Sequence, residues 1–204
     1  LLPNYRGAAP INWAIINGET KTGVTTFFID DKIDTGAMIL NAETPISKTE
    51  SAGELHDRLM QLGSETVIQT LALLEKGNVT TTIQQDTADI KTAYKLNKEN
   101  CKIDWTKSAS EIHNLIRGLS PYPAAWCFFG DKGEEWNVKI YEANSIYESH
   151  SLAIGQLICT KKEMKIAVHD GFIQIQNLQF PGKKKMTAAE FLNGIQFTEN
   201  AKAY

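Results

Sequence analysis

Two regimes of hydrophobic patterning divide the chain. Up to about residue 77 apolar positions fall in long helical or strand-like blocks, and beyond about residue 120 they recur in short alternating runs between turn residues. Ala8 to Ile16 is spaced as a short helix, with Pro10 in its first turn and Gly18 near its end. Gly23-Val24-Thr25-Thr26-Phe27-Phe28-Ile29 is rich in β-branched and aromatic residues, so it predicts a buried strand. That strand empties into the acidic turn Asp30-Asp31-Lys32-Ile33-Asp34-Thr35-Gly36, and Ala37–Leu40 predicts a second strand. Ser51-Ala52-Gly53-Glu54 is a capping box that opens a long helix. Leu55, Leu59, Leu62, Ile68, Leu71 and Leu74 line one side of it, and Lys76-Gly77 stops it.

Residues 78 to about 97 are polar, Thr-rich and weakly periodic. A linker at 84–97 is expected there, separating a domain at 1–83 from one at 98–204. Past it, Ser108-Ala109-Ser110-Glu111 is a second capping box, for a helix that turns Ile112, Leu115, Ile116 and Leu119 inward and ends at Ser120-Pro121-Tyr122-Pro123. Strands are then predicted over Ala125–Phe129, Val138–Ala143, Gly155–Thr160, Lys165–His169 and Phe172–Leu178. Turns fall at Gly130-Asp131-Lys132-Gly133 and at Asp170-Gly171, the second closing a tight hairpin. Short strands at this spacing predict a small OB-like barrel. Thr187-Ala188-Ala189-Glu190 is a third capping box, for a short helix burying Phe191 and Leu192. There is no internal repeat and no low-complexity tract.

Composition changes this picture little. With 204 residues and 42% apolar content the chain suits one large or two small globular domains. No apolar stretch approaches the roughly 20 residues of a membrane span, and no cationic signal sequence opens the chain. Cys101, Cys127 and Cys159 are odd in number and widely spaced, which fits a reducing compartment and neither a disulfide framework nor a zinc site. Charge is more informative. Residues 1–90 hold 6 Lys/Arg against 12 Asp/Glu, and residues 91–204 hold 15 against 12. The basic second half suggests contact with an anionic partner there.

The residues that can carry chemistry are few. A carboxylate at the carboxyl end of a strand sits where open α/β sheets bind ligands, so Asp34 is placed as a general base or an orienting group. From its position alone the turn carboxylate capping its own backbone, common for Asp near Gly, is the favoured reading. Asp30, Asp31 and Asp34 lack the alternation of a calcium loop, and His56, His113, His150 and His169 are far apart, so no metal is expected. His113 lies beside the apolar face of its helix and reads as structural.

Leu1-Leu2-Pro3-Asn4-Tyr5-Arg6-Gly7-Ala8-Ala9-Pro10, with Thr22-Gly23-Val24-Thr25 and Ile33-Asp34-Thr35-Gly36, resembles the folate-dependent formyltransferases. The likeness continues through Lys102-Ile103-Asp104-Trp105, Ile116 to Trp126 and Pro181-Gly182-Lys183-Lys184-Lys185-Met186, in order and over nearly the whole chain. Among these enzymes it is most similar to those acting on aminoacylated tRNA. The resemblance implies an α/β fold: the C-terminal part of a Rossmann-like formyltransferase domain, followed by an OB-like β-barrel that binds tRNA. It implies transfer of a formyl group from 10-formyltetrahydrofolate to the amino group of methionyl initiator tRNA, by a cytoplasmic enzyme that is monomeric when intact.

The same resemblance makes Asp34 the catalytic aspartate and Leu1, Leu2 and Pro3 part of the folate-contacting segment. It makes Lys183, Lys184 and Lys185 tRNA-contacting, with Arg117, Lys95 and Lys98 as weaker candidates for that surface; Arg6 is assigned equally to substrate or to loop. In the family an Asn-x-His-x-Ser segment lies just before Leu-Leu-Pro. About a hundred residues are therefore expected on the N-terminal side, and the 204 residues alone are expected to be inactive, with a poorly stable first half. Two other readings remain: a formyltransferase or formyltetrahydrofolate hydrolase acting on a small molecule, and a non-catalytic RNA-binding barrel.

Overall fold

The computed structural model describes residues 1–77, 79–85 and 88–204. They form two compact units, Leu1–Leu96 and Asn97–Tyr204. The first unit contains β1 (Arg6–Gly7), α1 (Pro10–Ile16), β2 (Lys21–Phe27), β3 (Met38–Pro45), α2 (Ala52–Glu75) and β4 (Thr92–Ala93). β2 and β3 pair antiparallel from Lys21↔Pro45 to Phe27↔Met38, with a register shift between Thr26 and Phe27. The hairpin is half-buried, unlike the buried strand the sequence predicts, because only one face meets a helix. Phe28 and Ile29 leave the strand altogether and are 46% and 91% exposed. Tyr5, Ala14, Ile15, Ile46, Ala52, Leu55, Leu59 and Ala93 form the core, with Trp13, Val24 and Leu62 packed against it.

The capping box at Ser51 and Glu54 forms as the sequence predicts. Only half of the expected apolar stripe turns inward, however. Ala52, Leu55, Leu59, Thr66 and Thr70 are buried, whereas Ile68, Leu71 and Leu74 are 68%, 55% and 41% exposed. At about 100° per residue the latter three lie far round the helix from Leu55. The face toward the hairpin is finished instead by threonines, with the Thr70 hydroxyl 2.8 Å from that of Thr26. Met60 and Val67 join the exposed apolar side.

The segment expected to be a linker belongs largely to the first unit. Gln84 is buried, β4 pairs in parallel with β1 through Arg6↔Thr92 and Gly7↔Ala93, and the boundary falls at Leu96/Asn97. Backbone pairing, which needs no apolar periodicity, holds this polar strap, so the pattern could not show it. Asp86 and Thr87, within the expected linker, and Asn78, in the polar stretch before it, lie outside the described residues.

The second unit contains α3 (Ala109–Leu119), β5 (Ala125–Asp131), β6 (Glu134–Ile146), β7 (Leu157–Cys159), β8 (Met164–Val168), β9 (Gly171–Gln179), β10 (Met186–Thr187), α4 (Ala188–Leu192) and β11 (Lys202–Ala203). The strands run in the order β11-β5-β6-β9-β8-β7, and a bridge from Gln156 to Lys202 brings the two ends together into a nearly closed barrel. All five predicted strands are present. β6 is much longer than the predicted Val138–Ala143, because its ends are polar residues held by pairing to β5 and β9. Val138, Ile140, Met164, Ile166, Ile173 and Ile175 fill the interior, and α3 covers it with Ile112, Ile116 and Leu119 while Leu115 is half-buried. The capping boxes at Ser108 and Thr187 both form, and Phe191 and Leu192 are buried. All three cysteines are free; burial pushes the Cys159 thiol up to about 11.

Candidate active site and nucleic-acid interface

Asp34 sits in the 28–37 loop that joins β2 to β3, with its backbone in the left-handed region at φ 55°. Asp tolerates that conformation better than most side chains. Its Oδ2 accepts a hydrogen bond from the Gly7 amide at 3.2 Å. The two stretches singled out in the sequence therefore meet. Gly7 has φ +127°, and a Cβ there would lie 2.4 Å from the Ala93 carbonyl oxygen, so only glycine fits. At Gly36 a Cβ would come within 1.6 Å of the Phe28 carbonyl oxygen, which is why the residue two after Asp34 has no side chain.

The loop is tied down from within and without. Asp30 Oδ1 accepts from the Lys32 amide and from the Thr35 hydroxyl, and the Thr35 bond above all holds its carboxyl below the usual range. Asp30 is thus a loop tie. Gln84 supplies the outer anchor: its Nε2 donates to the carbonyls of Asp34 (2.9 Å) and Gly36 (2.8 Å). Its Oε1 accepts from Arg6 Nε and Nη2 at 3.2 and 2.9 Å. Arg6 is engaged with the loop through Gln84. Sequence reasoning passed over Gln84, since a lone glutamine in a polar stretch carries no local signal.

Tyr5, at φ 60°, donates its hydroxyl to Glu19 at 2.5 Å, and Lys91 also pairs with Glu19. Burial would raise the Glu19 carboxyl, but the bonds from Lys91 and Tyr5 outweigh it and the net shift is downward. Leu1, Leu2 and Pro3 are half-buried and lead into this anchored turn. None of them hydrogen-bonds the Asp34 carboxylate among the described residues. Phe28, Ile29 and Ile33 stand exposed around Asp34, apolar surface of the kind a flat heteroaromatic ring covers. Among the described residues no group of three or more His, Cys, Asp or Glu is placed to hold a metal, and no helix is long and apolar enough to cross a membrane.

In the second unit Lys183, Lys184 and Lys185 are exposed on the loop after β9. Gln179 Nε2 donates to the Lys183 carbonyl at 3.1 Å, and Lys185 Nζ lies 4.9 Å over the Tyr141 ring. Arg117 is elsewhere: it is only 8% exposed, on the buried side of α3, with Nε donating to Asn114 at 2.9 Å. Its neighbourhood is structural, and burial together with the Arg117 charge lowers the His113 pKa.

Residues 1–71 match the formyl transferase family, and residues 95–196 match the formyl transferase C-terminal domain family. The chain belongs to the formyl transferase family. It is 72% identical over 204 residues to the methionyl-tRNA formyltransferase of Flavobacterium johnsoniae, covering all of this chain and 65% of that protein. To the methionyl-tRNA formyltransferase of Bacteroides thetaiotaomicron it is 44% identical over 207 residues, covering 99% of this chain and 64% of that protein. This chain thus spans about 65% of the length of the curated relatives it matches. Among solved structures it is similar to the N-formyltransferase of Helicobacter canadensis in complex with folinic acid and dTDP-3-aminofucose (TM-score 0.66, 24% identity, 85% of this chain and 62% of that one). HypX of Aquifex aeolicus in complex with tetrahydrofolic acid is also similar (TM-score 0.68, 21% identity, 93% and 33%). At these identities the two structures speak for the fold alone.

Proposed function

We propose that this chain forms part of an enzyme that moves a formyl group from 10-formyltetrahydrofolate to the amino group of methionyl initiator tRNA, acting as a monomer in the cytoplasm. The observation that carries the reading is the junction of Asp34 with Gly7. It fixes one carboxylate, through Gln84 and Arg6, in a loop rimmed by exposed apolar side chains. The identity to methionyl-tRNA formyltransferases supports the choice of acceptor.

In the reaction the amino nitrogen attacks the formyl carbon, a C–N bond forms, and the carbonyl electrons move onto oxygen. The nitrogen, now cationic, must lose a proton before the intermediate collapses. Collapse breaks the bond to the folate nitrogen, which takes up a proton as it leaves. Asp34 has one oxygen committed to the Gly7 amide, and its Oδ1 accepts no hydrogen bond among the described residues. That oxygen is free to take the ammonium proton through a water, or to orient the histidine the family resemblance implies. Donors facing the oxyanion would come from the Asn and His of the same resemblance.

Leu1, Leu2 and Pro3, with Phe28, Ile29 and Ile33, offer apolar walls to the pteridine. Lys183 to Lys185 offer phosphate neutralisation to the tRNA. The test is formyl transfer by the complete gene product carrying Asp34→Asn. We expect kcat to fall by at least about a hundredfold, with tetrahydrofolate affinity changed by less than threefold or so. Full activity in that variant would remove Asp34 from the chemistry. Formylation of an amino sugar nucleotide in preference to methionyl-tRNA would move the assignment to the small-molecule acceptors.

A further inference from the structure

The outer face of the barrel carries an aromatic and cationic surface that neither the lysine loop nor the Asp34 site accounts for. Along β5 the side chains alternate, with Ala125, Cys127 and Phe129 inward and Trp126 and Phe128 outward. The Trp126 and Phe128 rings meet edge to face at 5.3 Å, and Tyr204, just after β11, continues the row at 6.0 Å from Phe128. Tyr204 is 47% exposed. Lys98 Nζ lies 5.3 Å from the Trp126 ring centroid, and Lys102 Nζ lies 5.7 Å from Trp126 and 5.4 Å from Phe128.

The face continues onto β6. Lys139 pairs with Trp126 across the strands and with Gln179 on its other side, and Gln179 binds both the Tyr141 hydroxyl and the Lys183 carbonyl. The row of rings therefore runs toward the Lys183–Lys185 loop on one sheet. Beside it, a cavity of about 500 Å³ is lined by Lys102, Asp104, Trp105 and Tyr204 among others. Trp105 lines that cavity with a buried indole N–H that has no hydrogen-bond partner among the described residues.

We propose that Trp126, Phe128 and Tyr204 form a stacking platform for unpaired nucleotides of RNA, with Lys98, Lys102 and Lys139 taking the phosphates between them. The inference rests on the RNA substrate proposed above and names where its single-stranded part lies. Three chemical facts select RNA over a peptide. Trp126 and Phe128 alternate along β5, and Tyr204, paired with Phe128 from the neighbouring strand end, extends the row of rings across the sheet. The charged side chains on the ring faces are Lys98 and Lys102, with Lys139 paired beside Trp126, whereas Glu99 and Asp104 line the neighbouring cavity and Glu135 accepts from the Tyr204 hydroxyl. Finally, an apolar peptide would leave Lys98, Lys102 and Lys139 without a counter-charge. Lysines resting on half-buried surface rings are held weakly, and a base stack is the stronger contact. An arriving nucleotide displaces them from the ring faces, and the freed ammonium groups reach its phosphates.

The experiment is a salt-dependent binding titration of the chain against a single-stranded RNA of about 12 nucleotides, a blunt RNA hairpin of equal charge, and initiator tRNA. The variants are F128L/Y204L, which keeps bulk and removes the π faces, and the triple alanine change at Lys183, Lys184 and Lys185. We expect F128L/Y204L to weaken single-strand binding at least about fivefold with an unchanged salt slope. The lysine variant should flatten the slope. A melting curve matching the parent's shows that the double variant is folded, and Y204L alone keeps the test open if it is not. Equal binding of hairpin and single strand, or no loss in the leucine variants, overturns the platform. Ring-dependent binding of the single strand without binding of initiator tRNA would sustain the platform and remove the tRNA reading. Binding of tRNA that ignores the leucine variants would do the reverse.

Discussion

At the scale of single residues, Gln84 decides how well Asp34 is held. Its amide donates to two loop carbonyls and accepts from one guanidinium, so replacing it leaves the Gly36 carbonyl buried without a donor. An orphaned buried acceptor costs roughly 1–3 kcal/mol. We expect Gln84→Leu to destabilise the first unit by about that amount. It should also lower kcat for formyl transfer about tenfold by freeing Asp34 to leave its productive geometry. Wild-type kcat in a folded Gln84→Leu enzyme would show that the loop holds its shape without the tie. Asp34, Gly7 and Gly36 were legible in the sequence, because an aspartate turn after an apolar strand and glycines at set spacing are local signals. Gln84 was not, since its partners are 48 to 78 residues away.

At the scale of elements, the three capping boxes were the most readable features of the chain, for the reason that a cap is closed by residues three apart. In each, a glutamate carboxylate takes the N-cap N–H and hydroxyl: Glu54 with Ser51, Glu111 with Ser108, Glu190 with Thr187. These bonds hold all three carboxyls below their ordinary value of 4.5. A folded-state pKa below the unfolded one means the stabilisation is complete above about 4.5 and is lost as pH falls through the folded value. Glu111→Gln should therefore lower the melting temperature at neutral pH and change nothing in acid well below that range. A deficit that persists unchanged in acid would mean the carboxylate charge is not what the cap uses. Ser108→Ala removes the other half of the same box and should cost about 1 kcal/mol.

The strands tell a different story. β6 and β9 exceed their apolar cores, because a paired polar residue adds to a ladder without adding to a hydrophobic pattern. The polar stretch that carries Gln84 and β4 is the extreme case: Gln84 is held by one buried amide and β4 by backbone pairing, with no apolar period to announce either.

At the scale of the whole molecule, each unit has its own core, and burial rather than hydrophobicity separates residues that matter for stability from those that do not. Leu55 is fully buried and Leu71 is 55% exposed, although the two look alike in the sequence. Leu55→Ala should cost about 2–5 kcal/mol in chemical denaturation, and Leu71→Gln should stay within about 0.5 kcal/mol. Equal losses at the two positions would contradict the orientation of α2.

By itself the sequence determined the order of the main helices and of the long strands, the three caps, the principal turns and the barrel class, and it singled out the Asp-x-Gly turn and the Leu-Leu-Pro-led loop. All of these depend on neighbours within a few residues or on strings of residues in fixed order. Only the tertiary structure decided which side of α2 is covered and that a polar strap completes the first unit. It alone showed that Gln84 clamps the Asp34 loop and that Trp126, Phe128 and Tyr204 line up beside the lysines. Those outcomes depend on which distant surfaces meet, and the free energy of such contacts belongs to no single stretch of chain.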